Sequence, residues 1–291
     1  FGDFDGDSKP DFAVPTDNFW NYQLSVFRNQ STVGNISFSP KTDYFSEENS
    51  YMCTAADIDI DGKLDLVNLS SVFISVYRNL SSPGSIRFAS KVNFTGGDGL
   101  RDIAVADFNM DGKPDLAVTN WNSPFLSVFS NTSTPGNISF ATPVNIPFSL
   151  NSFGIAAGDV DGDGRSDVAV TCLLTRSVSV LRNSSTAGNI SFDSAGEYPA
   201  LEGSEKLGIA DLYGNDKPEI ILNSTEADSI SIFNNNSLTG SISFDLAGNF
   251  ETGDRPVHLT AGDLNGDGKV DIVVANYYAH SISLLQNTST A

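Results

Sequence analysis

Asp159-Val160-Asp161-Gly162-Asp163-Gly164-Arg165-Ser166-Asp167 places four carboxylates at positions 1, 3, 5 and 9 of a nine-residue loop, with glycines at 4 and 6. The chain writes this stretch six times. The other copies are Asp3-Phe-Asp5-Gly-Asp7-Ser-Lys9-Pro-Asp11, Asp57-Ile-Asp59-Ile-Asp61-Gly-Lys63-Leu-Asp65 and Asp107-Phe-Asn109-Met-Asp111-Gly-Lys113-Pro-Asp115, then a worn Asp211-Leu-Tyr213-Gly-Asn215-Asp216-Lys217-Pro-Glu219, and last Asp263-Leu-Asn265-Gly-Asp267-Gly-Lys269-Val-Asp271. Their starts lie 54, 50, 52, 52 and 52 residues apart, which is too regular for chance.

A second landmark keeps the same period. Asn29 to Phe38, built around Gly34, recurs as 79–88, 131–140, 183–192 and 235–244, and begins again at Asn287. Between the landmarks lie short strands and turns, without a helical period. In the fourth repeat the strands are expected at Ser152–Gly158, Asp167–Cys172, Ser177–Leu181 and Asn189–Asp193. Four short strands per repeat, apolar on both faces, suit a radial stack in which each sheet is covered by its two neighbours. The regular positions Phe27, Tyr77, Phe129, Leu181, Phe233 and Leu285 are expected to pack between those sheets. The predicted architecture is therefore all-β, a propeller of four-stranded antiparallel blades forming one domain over residues 1–291. The first repeat starts at its loop and so lacks an inner strand, while the last stops short of an outer one. Open sheet edges invite aggregation. The expectation is that flanking segments of a parent chain with six or seven blades, or a strand-donating partner, complete the ring.

The 291 residues carry 36 acids against 16 Lys and Arg, a formal net charge of −20. No basic footprint is present, so nucleic-acid binding is not expected. Nor does any stretch approach the 18 or so consecutive apolar residues of a spanning helix, so no membrane insertion is expected. Cys53 and Cys172 are too few for a disulfide framework and read as buried small apolar residues. Twenty of the acids stand at loop positions 1, 3, 5 or 9. There they can point at a common centre, because glycine permits the positive φ of a sharp bend, and the acid at position 9 opens a strand that can hold it as a closing ligand. Two carboxylates about 5 Å apart repel by roughly 3 kcal/mol at an effective dielectric of about 20, so without a cation the loop should splay. An oxygen-only cage suits Ca²⁺, whereas Zn²⁺ would want histidine or thiolate. The pattern is not an EF-hand, which needs a glutamate at position 12 and flanking helices.

The stretch Gly158 to Val170 and its sister copies resemble the FG-GAP or VCBS repeats of integrin-α-type β-propellers, over essentially the whole chain. That resemblance implies blades ordered as inner strand, calcium loop and three further strands, with Ca²⁺ held by the side chains at positions 1, 3, 5 and 9 and the backbone carbonyl of residue 7. It implies sites at Asp3, Asp5, Asp7, Lys9 and Asp11; at Asp57, Asp59, Asp61, Lys63 and Asp65; and at Asp107, Asn109, Asp111, Lys113 and Asp115. Two more follow at Asp159, Asp161, Asp163, Arg165 and Asp167, and at Asp263, Asn265, Asp267, Lys269 and Asp271. The loop at Asp211 departs from the pattern, with Tyr213 at position 3, Asp216 at position 6 and Glu219 one methylene long. Lys217 or a water network could satisfy it instead, which leaves about five calcium sites.

A complete protein cage leaves little room for substrate, so the calcium reads as structural. Ion at ten times Kd contributes roughly 1.4 kcal/mol per site, and five such sites rival the stability of a typical domain. Weak sites of this kind need millimolar calcium, which points to an extracellular or cell-surface setting. A ligand is expected on the face opposite the loops, where the turns between second and third strands diverge among repeats and carry Trp20, Tyr22, Trp121, Tyr277 and Tyr278. Aromatic residues beside Asn and Asp suit stacking on a glycan or contact with a protein surface. No Gly-x-Ser-x-Gly, His-Glu-x-x-His or phosphate-binding glycine loop occurs, and His258 and His280 are the only histidines. A binding and adhesion module is therefore favoured over an enzyme. The alternatives are a polysaccharide-degrading, lyase-like propeller and a purely architectural repeat.

Overall fold

The computed structural model describes residues 1–16, 22–46 and 50–289. Blade 1 holds β1 (Phe12–Thr16), β2 (Gln23–Phe27) and β3 (Thr42–Phe45), and blade 2 holds β4 (Ser50–Ala56), β5 (Asp65–Ser70), β6 (Phe73–Tyr77) and β7 (Val92–Thr95). Blade 3 comprises β8 (Leu100–Ala106), β9 (Asp115–Asn120), β10 (Phe125–Phe129) and β11 (Val144–Pro147), and blade 4 comprises β12 (Ser152–Gly158), β13 (Asp167–Cys172), β14 (Ser177–Asn183) and β15 (Phe192–Pro199). Blade 5 is β16 (Leu207–Ala210), β17 (Glu219–Ser224), β18 (Ser229–Asn235) and β19 (Phe244–Glu251), and blade 6 is β20 (Pro256–Gly262), β21 (Asp271–Asn276) and β22 (Ser281–Leu285). Every pairing is antiparallel between consecutive strands. The result is a six-bladed propeller whose first and last blades have three strands, as the phase of the repeats predicts.

Burial follows from this stacking. β5, β9, β13 and β17 are buried at every position, because each blade is sandwiched by its neighbours. Tyr77, Phe129, Leu181 and Phe233 pack between blades as expected, while Phe27 and Leu285, at the two ends of the stack, are half-buried. Five apolar clusters each join consecutive blades, and among the described residues none joins blade 6 to blade 1. In blade 4 the third strand runs on to Asn183, and the fourth begins at Phe192 rather than Asn189. Asn189 is used in the landmark turn, where Asn189 N–H donates to Thr186 O (2.7 Å) and Thr186 N–H to Asn189 O (3.1 Å).

The landmark asparagine is the latch between blades. Asn131 Nδ2 donates to Pro114 O of its own blade (2.9 Å) and to Ile58 O of the preceding one (2.8 Å). Asn79, Asn183, Asn235 and Asn287 repeat both bonds. Since these amide nitrogens are already committed, turn chemistry rather than glycosylation explains why the Asn-x-Ser/Thr pattern recurs there.

The inner strands approach one another closely. A Cβ on Gly154 of β12 would lie 2.3 Å from Glu205 O in blade 5, whereas one on Gly262 at the end of β20 would meet nothing within 4 Å. Gly154→Ala is expected to lower stability by roughly 1–3 kcal/mol through backbone displacement, with Gly262→Ala near neutral. Equal melting temperatures for the two variants would contradict this packing.

Candidate metal centres and the opposite face

Each acidic loop is first held by its own backbone. Asp159 at position 1 accepts N–H groups from Gly162 (2.8 Å), Asp163 (3.1 Å) and Gly164 (2.8 Å), and the aspartates that open the other loops do likewise. Residues 4 and 6 are left-handed in every copy. Glycine serves at most of them, but Ile60 (φ 58°) and Met110 (φ 60°) take the same conformation at position 4, so the geometry outlasts the residue that makes it easy.

The acid at position 9 ties the loop to the rest of the blade. Asp65 Oδ2 accepts from Ile58 N–H (3.0 Å) and Oδ1 from Asn79 N–H (2.7 Å), with the same pair of bonds at Asp11, Asp115, Asp167 and Asp271. Burial pushes Asp65, Asp115 and Asp167 up to about 6, against the pull of those N–H groups, and raises Asp11 and Glu219 in the same direction.

Positions 3 and 5 are steered by residues that the sequence reading did not single out. Arg182 of β14 donates through Nε to Asp161 Oδ2 (2.7 Å) and through a terminal nitrogen to Asp163 Oδ2 (2.6 Å), and Arg28 does the same to Asp5 and Asp7 in blade 1. Gly240 N–H of blade 5 adds a bond to Asp161 Oδ2 (2.9 Å), as Gly84 of blade 2 does to Asp5 Oδ2 (2.9 Å). Burial would raise the Asp5 pKa, but Arg28 and Gly84 bring it below the usual value. The signal was present in the sequence, as an arginine immediately before the landmark asparagine in the first, second and fourth repeats.

Among the described residues, three groups bring ligand atoms within 4.8 Å of one another: Asp3, Asp5 and Asp11; Asp57, Asp59 and Asp61; and Asp159, Asp161 and Asp167. Oxygens on opposite sides of Ca²⁺, each at about 2.4 Å, would be separated by about that distance. The donors are all carboxylate, and Asp59 Oδ1 is buried without a hydrogen-bond partner. Such an orphaned acceptor fits a cation better than a solvated turn. Asp111 and Asp267 likewise keep their position-5 bonds to Lys113 and Lys269 N–H, with Asn109 and Asn265 as the neutral third residues of their loops. Asp107 and Asp263 cap those two loops.

In the worn loop, where Lys217 or a water network is the alternative to a cation, the Lys217 ammonium points away from the acids. It donates to Ser237 O (2.9 Å), as Lys63 does to Ser81 O and Lys113 to Ser133 O, because a lysine at position 7 reaches the landmark turn of its own blade. Tyr213 hydrogen-bonds Asn234 Oδ1 (3.1 Å).

On the opposite face, Tyr277 and Tyr278 are 61% and 57% exposed and lie side by side, with ring centroids 5.3 Å apart. Trp121 is half-buried, edge-on to Phe153. The Arg101 guanidinium lies 5.1 Å from the Trp121 ring, and that of Arg255 lies 4.9 Å from the Tyr278 ring. Tyr22 is half-buried just before β2, and Trp20 falls outside the described residues. Sequence reasoning found the aromatic members of this face but not the cations behind them, which stand at the start of the inner strands, where the repeats differ most.

The chain belongs to the FG-GAP-like repeat family, whose model matches residues 3–68, 57–118, 109–170 and 177–274. No curated protein matches it. Among solved structures it is similar to a putative 6-phosphogluconolactonase from Bacteroides uniformis (14% identity, TM-score 0.65, covering 92% of this chain and 75% of that one). A periplasmic gluconolactonase from Pseudomonas aeruginosa (12%, TM-score 0.60, 91% and 73%) is also similar. So is a lectin from Agrocybe aegerita described as recognising non-reducing terminal N-acetylglucosamine (15%, TM-score 0.57, 96% and 80%). At these identities the likeness is one of fold.

It nevertheless corrects the expectation against catalysis, since propellers of this shape include lactonases. The motifs whose absence was weighed are local in sequence, whereas a propeller gathers groups from several blades.

The pKa shifts give a signed prediction. Asp65, Asp115 and Asp167 bind protons more tightly folded than unfolded, so in chelator stability should fall as pH rises from 3.8 through about 6, by about 2–3 kcal/mol per group. A bound cation favours the ionised carboxylates and reverses that slope. Thermal melts across this range should therefore diverge between chelator and calcium, and parallel curves would contradict the metal assignment.

Proposed function

We propose that the chain is a calcium-loaded propeller working outside the cell, which uses the loops as structural cages and the opposite face to bind a glycan or protein ligand. The observation that carries this reading is the contrast between the two faces. The loops keep the same capping and latching bonds from blade to blade, while the opposite face differs from blade to blade and carries the exposed Tyr277–Tyr278 pair in blade 6 and cation-backed Trp121 in blade 3. Exposed aromatic rings with polar neighbours suit sugar faces and protein hot spots. An extracellular setting supplies the millimolar calcium that such loops need.

A second reading, hydrolysis of a cyclic sugar ester, is favoured by the two lactonase neighbours and by the titratable groups Glu205 and His258 near the same face. Binding of the calcium-loaded chain to a glycan array, run beside a lactone hydrolysis assay, separates the two. Tyr277→Ala with Tyr278→Ala is expected to weaken glycan binding about ten-fold without changing the melting temperature. Undiminished binding would sink the first reading, and lactone hydrolysis above the buffer rate would establish the second.

A further inference from the structure

Strand β22 pairs with β21 and, among the described residues, with no other strand. Its outer edge therefore presents backbone N–H and C=O groups to whatever approaches. Beside that edge, between blades 5 and 6, lies a cleft of about 250 Å³ lined by Leu212, Ile232, Phe250, Ile272 and Leu285, with Thr288 and Ser289 also on its wall.

The preceding repeat shows what such a cleft holds. The residues 52 positions earlier are Val160, Val180, Tyr198, Ile220 and Phe233, and these pack in one cluster with Ile242 and Phe244 of the landmark segment. Ile242 and Phe244 stand two residues apart in extended chain, so both side chains turn into the same cleft. Ser243 between them is held through its backbone, since Asn236 N–H donates to Ser243 O (2.9 Å) and Ser243 N–H donates to Ser237 Oγ (3.1 Å). The counterparts of Asn236 and Ser237 are Thr288 and Ser289, on the wall of the open cleft. From Phe244 the chain runs on as β19, the fourth strand that pairs with β18. Ile138 with Phe140 and Ile190 with Phe192 join the clusters between earlier blades in the same way. Phe250 stands where Tyr198 does, and at that register in blade 2 Phe94 meets Phe140 edge-on with ring centroids 5.0 Å apart, so a phenyl ring serves there as well as a phenol.

We propose that the cleft and the β22 edge bind an extended segment of another polypeptide, of the pattern Ile-x-Phe followed by a short strand, which adds a fourth strand to blade 6. Backbone bonds along β22 and to Thr288 and Ser289 supply affinity, and the cleft selects the two alternate apolar side chains. A second copy of this chain does not supply the segment. Its landmark residues Ile138, Ile190, Ile242 and Phe244 are buried, and its exposed Ile36 leads into β3, which is already paired with β2, so lending that stretch would strip blade 1 of a strand.

The probe is a dye-labelled synthetic peptide with the sequence of residues 238–251, added to the calcium-loaded full chain. Saturable anisotropy with one peptide per chain is expected, and the peptide carrying Ile242→Asp and Phe244→Asp should bind at least about ten-fold more weakly. Phe250 is 43% exposed, so Phe250→Asp alters the cleft at its rim, and it should weaken binding by a similar factor. Leu264→Asp, at an apolar position of blade 6 that is 55% exposed and outside the cleft, should leave binding unchanged. Equal binding of the two peptides, equal loss in the two chain variants, or no saturable binding overturns the proposal. Sedimentation of the chain alone separates the occupants: a chain that self-associates and is not dispersed by the peptide would assign the edge to a second copy and overturn the proposal as well.

Discussion

A buried carboxylate at the end of each acidic loop is the constraint on which the rest of the molecule depends. Asp65 and its counterparts hold the loop through one oxygen and the landmark asparagine's N–H through the other. That asparagine in turn reaches the preceding blade. The same few atoms therefore set the shape of the loop, the angle at which the next blade leaves and the seam between blades. Ionised acids are costly in such a place, and a divalent cation would offset that cost.

The arginines before the landmark sharpen this account. In blades 1 and 4 they bind the outer oxygens of the position-3 and position-5 acids, and the neighbouring blade's glycine N–H shares the position-3 oxygen. In blade 2, Arg78 stands 4.0 Å from Asp59, and Asp59 Oδ1 has no hydrogen-bond partner. Groups behind a ligand fix its orientation, so a cage can be preorganised by its neighbours rather than by its own loop alone. Of the three loops with such an arginine, that of blade 2 is the least preorganised.

Most of the fold was legible because it repeats. The period, the strand count and the interblade core positions Tyr77, Phe129, Leu181 and Phe233 follow from spacing and alternation alone. The loop acids were equally legible, since their spacing is their chemistry. The start of β15 was not, because Asn189 has a strand-like neighbourhood but is used in a turn. The direction of the Lys217 side chain was not legible either, since spacing gives no direction to a long flexible side chain. On the face opposite the loops the sequence was read for its aromatic residues, whereas Arg101 and Lys206 meet around Phe153 only because inner strands of successive blades lie side by side. The absence of local motifs was also a weak ground against catalysis, because similar propellers include lactonases.

The count of calcium ions bound per chain at millimolar free calcium, by equilibrium dialysis, tests the central claim most directly. About five ions are predicted, because five loops keep the full donor pattern and the loop at Asp211 does not, and Asp59→Ala should remove one. A chain that binds none, or one whose count is unchanged by Asp59→Ala, would contradict the account.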